Sequence, residues 1–145
     1  MKIAVLGAGA FGTALAIHLR GIAHEVVIWT RSAKKAAEIL SGSNHEALPG
    51  IDFEPGLPAS DDPGACLVGA ELAILATRSL AISETLVMVD SMRRGLPLVC
   101  VAKGIDPRSL RLHSQIAAEA APSSPFCALT GPSFAREVIA AQPTA

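Results

Sequence analysis

The chain has 145 residues, half of them hydrophobic, which suits one domain with a sizeable core. Twelve basic and 13 acidic residues give a net charge of -1, so electrostatics offers no basis for a nucleic-acid partner. The composition also excludes a disordered chain and a disulfide scaffold.

A first strand is expected over residues 2–6, where a run rich in Ile and Val meets glycine. A helix follows over 11–20, with Phe11, Leu15, Ala16 and Leu19 as its buried stripe and Gly21 closing it. Residues 25–30 (Glu-Val-Val-Ile-Trp-Thr) read as a second strand. Ser32 has the chemistry of an N-cap for a helix over 33–40, whose two lysines and glutamate face water. Residues 41–60, rich in Gly, Pro, Ser and Asn, form the longest irregular section, with one short strand. Asp61-Asp62-Pro63 opens a short helix ending near Gly69. A strand over 72–77, a helix over 81–92 with a basic end, a strand over 98–102 and a helix over 108–121 come next. After a turn at 122–125, a strand over 126–129 and a final helix over 132–141 complete the pattern.

Near-continuously apolar strands flanked by helices indicate a doubly wound α/β domain: a mostly parallel sheet with helices on both faces. No repeat or linker divides it. The N-terminal apolar run is too short for a signal-peptide core, and no apolar stretch reaches the roughly 18 residues that span a membrane. A cytoplasmic protein, not integral to a membrane, is expected. Cys66, Cys100 and Cys127 fit neither a metal knuckle nor a redox pair and are read as buried, inert thiols; no metal site is expected.

Gly7-Ala8-Gly9-Ala10-Phe11-Gly12 matches G-x-G-x-x-G in the required context, after a strand and opening a helix. Gly7 permits the tight turn, Gly9 leaves room for a cofactor pyrophosphate, and Gly12 lets helix and strand pack closely. Free N–H groups at the helix start hold the pyrophosphate, giving a Rossmann-type dinucleotide site. The competing reading is a glycine-rich turn in an unrelated α/β protein. The end of the second strand bears on cofactor choice. An NAD site often places an acid about 20 residues beyond the fingerprint. Residues 29–35 contain no acid and offer Arg31, with Ser32, Lys34 and Lys35 nearby. A guanidinium can bind a 2′-phosphate bidentately, which favours NADPH over NADH. The two lysines also fit a merely solvated helix face.

Lys103 and Gly131 follow later apolar strands, at the carboxyl edge where ligands bind in a parallel sheet. Lys103 suits an anion or carbonyl contact. Gly131 allows close backbone approach, and Ser133 either contacts a phosphate or caps the last helix. The four histidines form no recognisable acid–base arrangement; His18 reads as packing or surface, and His45 sits in the long loop, where an approach to the cofactor is the minority reading.

Together these segments resemble the N-terminal NAD(P)-binding domain of bacterial-type soluble glycerol-3-phosphate dehydrogenases. The similarity runs from Lys2 to Ala145. It is carried by the glycine turn through Ala16, by His24-Glu25-Val26 leading to Trp29-Thr30-Arg31, and by Leu48-Pro49-Gly50. More specific still are Ala102-Lys103-Gly104-Ile105 and the stretch from Gly131-Pro132-Ser133 to Val138. The resemblance implies reduction of dihydroxyacetone phosphate to sn-glycerol 3-phosphate with NADPH or NADH, for phospholipid synthesis. By the same resemblance Ala10, Phe11, Arg31 and Ala135 match cofactor contacts. Lys103 matches a position touching cofactor and substrate, and Gly131 and Ser133 match substrate contacts. Two segments depart from the family pattern: Thr77-Arg78-Ser79-Leu80 replaces a Val-Pro-x-Gln type segment, and Ala47 stands where an aromatic is common.

The resemblance further implies a helical C-terminal domain carrying the principal proton-transferring lysine, an aspartate and a Ser-Arg-Asn group. None of those segments lies in this chain. Residues 1–145 are therefore expected to form the dinucleotide domain without its last strand or strands, binding cofactor with little or no turnover. A homodimer is one assembly open to the full-length protein. Alternatives are the cofactor domain of another two-domain dehydrogenase, of the ketopantoate or 6-phosphogluconate type, and a stand-alone dinucleotide-binding or sensing module.

Overall fold

Side-chain alternation in the first strand sets the two faces of the molecule. In the computed structural model, which describes residues 1–143, Ile3 and Val5 enter one apolar cluster while Ala4 and Leu6 enter another. The expectation that the domain runs on through Thr144 and Ala145 lies outside the described residues.

The first half of the chain forms β1 (Lys2–Leu6), α1 (Ala10–Gly21), β2 (Glu25–Trp29), α2 (Ala33–Leu40), β3 (Ala59–Ser60) and α3 (Pro63–Leu67). Then come β4 (Leu72–Leu75), α4 (Ile82–Met92), β5 (Leu98–Cys100), α5 (His113–Ala120), β6 (Phe126–Ala128) and α6 (Ala135–Ile139). The strands pair in the order β3-β2-β1-β4-β5-β6, every pair parallel. This is the doubly wound Rossmann-type sheet. The chain winds outward in one direction from β1 to β3 and in the other from β4 to β6, so a crevice opens between the ends of β1 and β4.

Each face buries its own core. Cys66 and Leu67 of α3, Ile82, Leu86 and Val89 of α4, and Ile116 and Ala117 of α5 cover one face. Ala16 of α1 and Ile39 of α2 join Ile3, Val5, Val26 and Ile28 on the other. Helix α6 packs against α1 on that second face.

Several elements differ from the sequence expectation for local reasons. Helix α5 starts at His113 rather than at residue 108. The Asp106 carboxylate accepts from the Ser109 N–H at 2.8 Å and from its hydroxyl at 2.6 Å, a turn that competes with helix. Leu110 then takes a positive φ of 57°, which no helix accommodates. Helix α6 starts three residues after Pro132, where the Phe134 N–H donates to the Glu137 carboxylate at 3.0 Å, and stops before Ala141 at φ 51°. In α1 the small residues Gly12, Thr13, Ala14 and Ala16 are buried, whereas Phe11, Leu15 and Leu19 are only half-buried. Small side chains let the helix backbone approach the sheet, and the larger ones lie along its flank. Cys66 and Cys100 are buried as expected, but Cys127 is exposed, because β6 is an edge strand whose Cys127 and Ala128 are uncovered.

Candidate functional site

The strands over 72–77 and 98–102 leave the sheet ladder early, and the residues released become the walls of the site. β1 ends at Leu6, and the chain turns at Gly7 with φ 125°. A Cβ at Gly7 would lie 2.5 Å from the Ala76 carbonyl oxygen, and one at Gly12 would lie 2.2 Å from the Gly7 carbonyl oxygen. Both glycines are thus required by backbone contact. Gly9 differs: a Cβ there would meet nothing within 4 Å, because the position faces open space. No side chain caps α1 at Gly9, and among the described residues the N–H groups of Ala10, Phe11 and Gly12 have no hydrogen-bond partner.

A cleft of about 510 Å³ lies over this turn, walled by Thr30 and Arg31 beyond β2 and by Thr77 and Arg78 beyond β4. The turn is fixed from behind. Asn44, fully buried, donates from Nδ2 to the Thr13 hydroxyl at 2.8 Å and to the Ala8 carbonyl at 3.1 Å. Trp29 lies beneath the cleft, its ring N–H donating to the Asp61 carbonyl at 3.2 Å.

Arg31 is exposed and makes no hydrogen bond or ion pair among the described residues. Ser32 does cap α2, its hydroxyl oxygen accepting from the Lys35 N–H at 3.3 Å. Lys34 is exposed to water. Lys35, by contrast, is half-buried, lines the cleft and pairs with the Glu46 carboxylate. The Lys35 hydrogen bond, then its charge, holds the Glu46 carboxyl below the usual carboxylate range. Glu38 likewise is committed, accepting from the His45 N–H at 2.6 Å. The irregular loop thus folds back over α2 and carries an acid into a cleft where the local sequence had none.

Lys103, Gly131 and Ser133 share a second cavity of about 290 Å³ with Phe11 and Val138. Phe11 immediately follows Ala10, which lines the first cleft, so the start of α1 separates the two. Ala135 lines a third depression of about 440 Å³ together with Ala10 and Ala47. Except for Gly12, which is buried against Gly7 and Ala76, the site residues read from sequence therefore line hollows at the carboxyl edge of the sheet. Lys103 is exposed, with its carbonyl accepting from the Ser79 hydroxyl at 2.7 Å. His45 is not among the residues lining the first cleft, and its ring lies 3.8 Å from the Asp52 carboxylate, while His18 is half-buried and lines the second cavity. His113 is buried with Nδ1 3.8 Å from the Cys100 sulfur, and burial pushes the Cys100 thiol pKa up. Among the described residues no group of three or more His, Cys, Asp or Glu is placed to hold a metal.

These features suit a dinucleotide: an open position at Gly9, unpartnered N–H groups and a free guanidinium at the far wall. Comparison with known proteins decides the family. Residues 2–145 match the model for the NAD-dependent glycerol-3-phosphate dehydrogenase N-terminus. The chain belongs to this family. It is 41% identical over 145 residues to glycerol-3-phosphate dehydrogenase [NAD(P)+] of Mesorhizobium japonicum, covering 99% of this chain and 42% of that protein. The corresponding protein of Chelativorans sp. is 38% identical, with 99% and 44% covered. The crystal structure of glycerol-3-phosphate dehydrogenase from Coxiella burnetii superimposes with a TM-score of 0.88 at 31% identity, covering 99% of this chain and 44% of that one. A ketopantoate reductase from Ralstonia eutropha gives a TM-score of 0.73 at 19% identity, covering 92% of this chain and 42% of that one, a likeness of fold alone. The chain spans less than half the length of the curated relatives it matches. Family and fold together make it an NAD(P)-binding domain.

Proposed function

We propose that this chain is the dinucleotide-binding part of an enzyme that reduces dihydroxyacetone phosphate to sn-glycerol 3-phosphate, reversibly, in phospholipid synthesis. The observation that carries the reading is the contrast among the three fingerprint glycines. Gly7 and Gly12 are pinned by backbone contact, whereas Gly9 opens onto the cleft between β1 and β4.

In this reading Gly7, Gly9 and Gly12 shape the turn, and the N–H groups of Ala10 and Phe11 bind the cofactor pyrophosphate. Arg31 receives the adenosine end. NADPH is favoured over NADH because the Arg31 guanidinium is uncommitted and the nearby Glu46 carboxylate is already paired with Lys35. Ala135, which lines a depression together with Ala10, contacts the cofactor from the α6 side. Gly131 and Ser133 contact the substrate in the second cavity, and Lys103 contacts both ligands. Bound NAD(P)H supplies the hydride. Lys103 places positive charge where a substrate carbonyl gains negative charge, an accessory electrostatic role.

The principal proton-transferring lysine and the phosphate-gripping residues belong, by family resemblance, to a helical domain that completes the full-length enzyme. The 145-residue chain therefore binds dinucleotide without appreciable turnover. The test is to follow NADPH oxidation by the purified chain with dihydroxyacetone phosphate. No oxidation above the protein-free rate is expected, and sustained turnover would overturn the division of labour.

A further inference from the structure

We infer that Arg78 is a second phosphate-binding cation of the dinucleotide cleft, meeting the cofactor pyrophosphate from the β4 wall; the inference rests on the dinucleotide reading above. Arg78 follows β4 at the carboxyl edge and lines the same cleft as Gly7, Ala8, Gly9 and Ala10. Its neighbour Thr77 is in backbone proximity to the glycine turn: a Cβ built on Gly7 would lie 2.7 Å from the Thr77 nitrogen. The wall bearing Arg78 thus adjoins the glycine turn that leads into α1, within the same cleft.

The backbone there is held on every side. Arg78 is extended, with φ -61° and ψ 148°, and caps a 3-10 turn at Ser79–Ala81, its carbonyl accepting from the Ala81 N–H at 2.8 Å. On one flank the Thr77 and Thr85 hydroxyls lie 3.4 Å apart, and on the other the Ser79 hydroxyl donates to the Lys103 carbonyl at 2.7 Å. An anchored backbone therefore presents an exposed guanidinium that makes no hydrogen bond or ion pair among the described residues.

Charge accounting in the cleft points the same way. Its lining holds three cations, Arg31, Lys35 and Arg78, and one anion, Glu46. Lys35 and Glu46 satisfy each other, which leaves two free guanidiniums, one on each wall, with the glycine turn between them. The turn itself offers only backbone dipoles. Arg31 sits beyond β2, at the adenosine end. Arg78 is then the full positive charge available to a pyrophosphate on the turn, with a planar fork suited to phosphate oxygens.

The test uses the 145-residue chain and its Arg78→Gln and Arg78→Lys variants, titrated with NADPH, NADH, ADP and adenosine, with melting curves to confirm folding. Arg78→Gln is expected to weaken NADPH, NADH and ADP alike by about tenfold, leaving adenosine and the NADPH to NADH ratio unchanged. Arg78→Lys, which keeps the charge but not the fork, is expected to recover part of the loss. The inference is overturned if Arg78→Gln binds both dinucleotides within about twofold of the parent. It is equally overturned if adenosine weakens as much as ADP, which makes Arg78 a stacking partner, or if only NADPH weakens, which places it on the 2′-phosphate. Failure of the unsubstituted chain to bind any dinucleotide would instead remove the dinucleotide reading, and this inference with it.

Discussion

The Asn44 amide reaches the Thr13 hydroxyl at 2.8 Å, tying the irregular segment after α2 to the first turn of α1. A second bond from the same nitrogen reaches the Ala8 carbonyl at 3.1 Å, so one fully buried side chain holds both sides of the glycine turn. Asn44→Ala leaves those groups without their partner. It is expected to cost about 1–3 kcal/mol in urea unfolding and to weaken dinucleotide binding as the turn loosens.

Two substitutions in the fingerprint separate folding from binding. Gly12→Ala drives a methyl to 2.2 Å from the Gly7 carbonyl oxygen, and about 1–3 kcal/mol of stability should be lost. Gly9→Ala meets no neighbour within 4 Å, at an ordinary φ of -74°. Its unfolding free energy should stay within about 0.5 kcal/mol of the parent. Its affinity for NADPH should fall about tenfold or more, because under the proposed function the methyl occupies the space of the cofactor pyrophosphate. Equal effects of both substitutions on stability would contradict this contrast.

Arg31→Gln should cost about tenfold in NADPH affinity and leave NADH within about twofold, reversing or erasing the preference. Competitive titration of the two reduced cofactors reads this directly. Glu46→Gln should shift the ratio the other way, towards NADPH, because it releases Lys35 into the cleft.

The thiols differ in accessibility. Burial, reinforced by the Asp62 charge, pushes the Cys66 pKa up to about 11, and burial also raises that of Cys100, whereas Cys127 lies exposed on β6. At neutral pH a thiol reagent should therefore modify one cysteine per folded chain rapidly and all three in urea. Mass mapping of the fast site to Cys66 or Cys100 would count against the packing described.

Much of this was legible in the sequence because periodicity and punctuation agree along most of the chain. β1, β2 and α2 fall where apolar runs and the Ser32 cap place them, and the fingerprint sits where its strand and helix require. Lys103, Gly131 and Ser133 stood out for position alone, and the fold gathers them into one cavity. Long-range partners left no such trace. Asn44 and Glu46 lie in a loop without periodicity, and only the fold reveals that one grips the glycine turn and the other neutralises Lys35. Cys127 looked buried because an apolar run cannot distinguish an interior strand from an uncovered edge. The 108–112 segment looked helical because its composition hides the Asp106–Ser109 turn and the positive φ of Leu110.

Occupancy of the cleft over Gly9 by a nicotinamide dinucleotide can be measured directly. Trp29, the single tryptophan of the chain, lines that cleft and provides the probe. Titration of the 145-residue chain with NADPH and NADH, read as quenching of Trp29 emission, should show saturable binding of one cofactor per chain, tighter for NADPH. Quenching that never saturates, or that survives Gly9→Ala unchanged, would contradict the account.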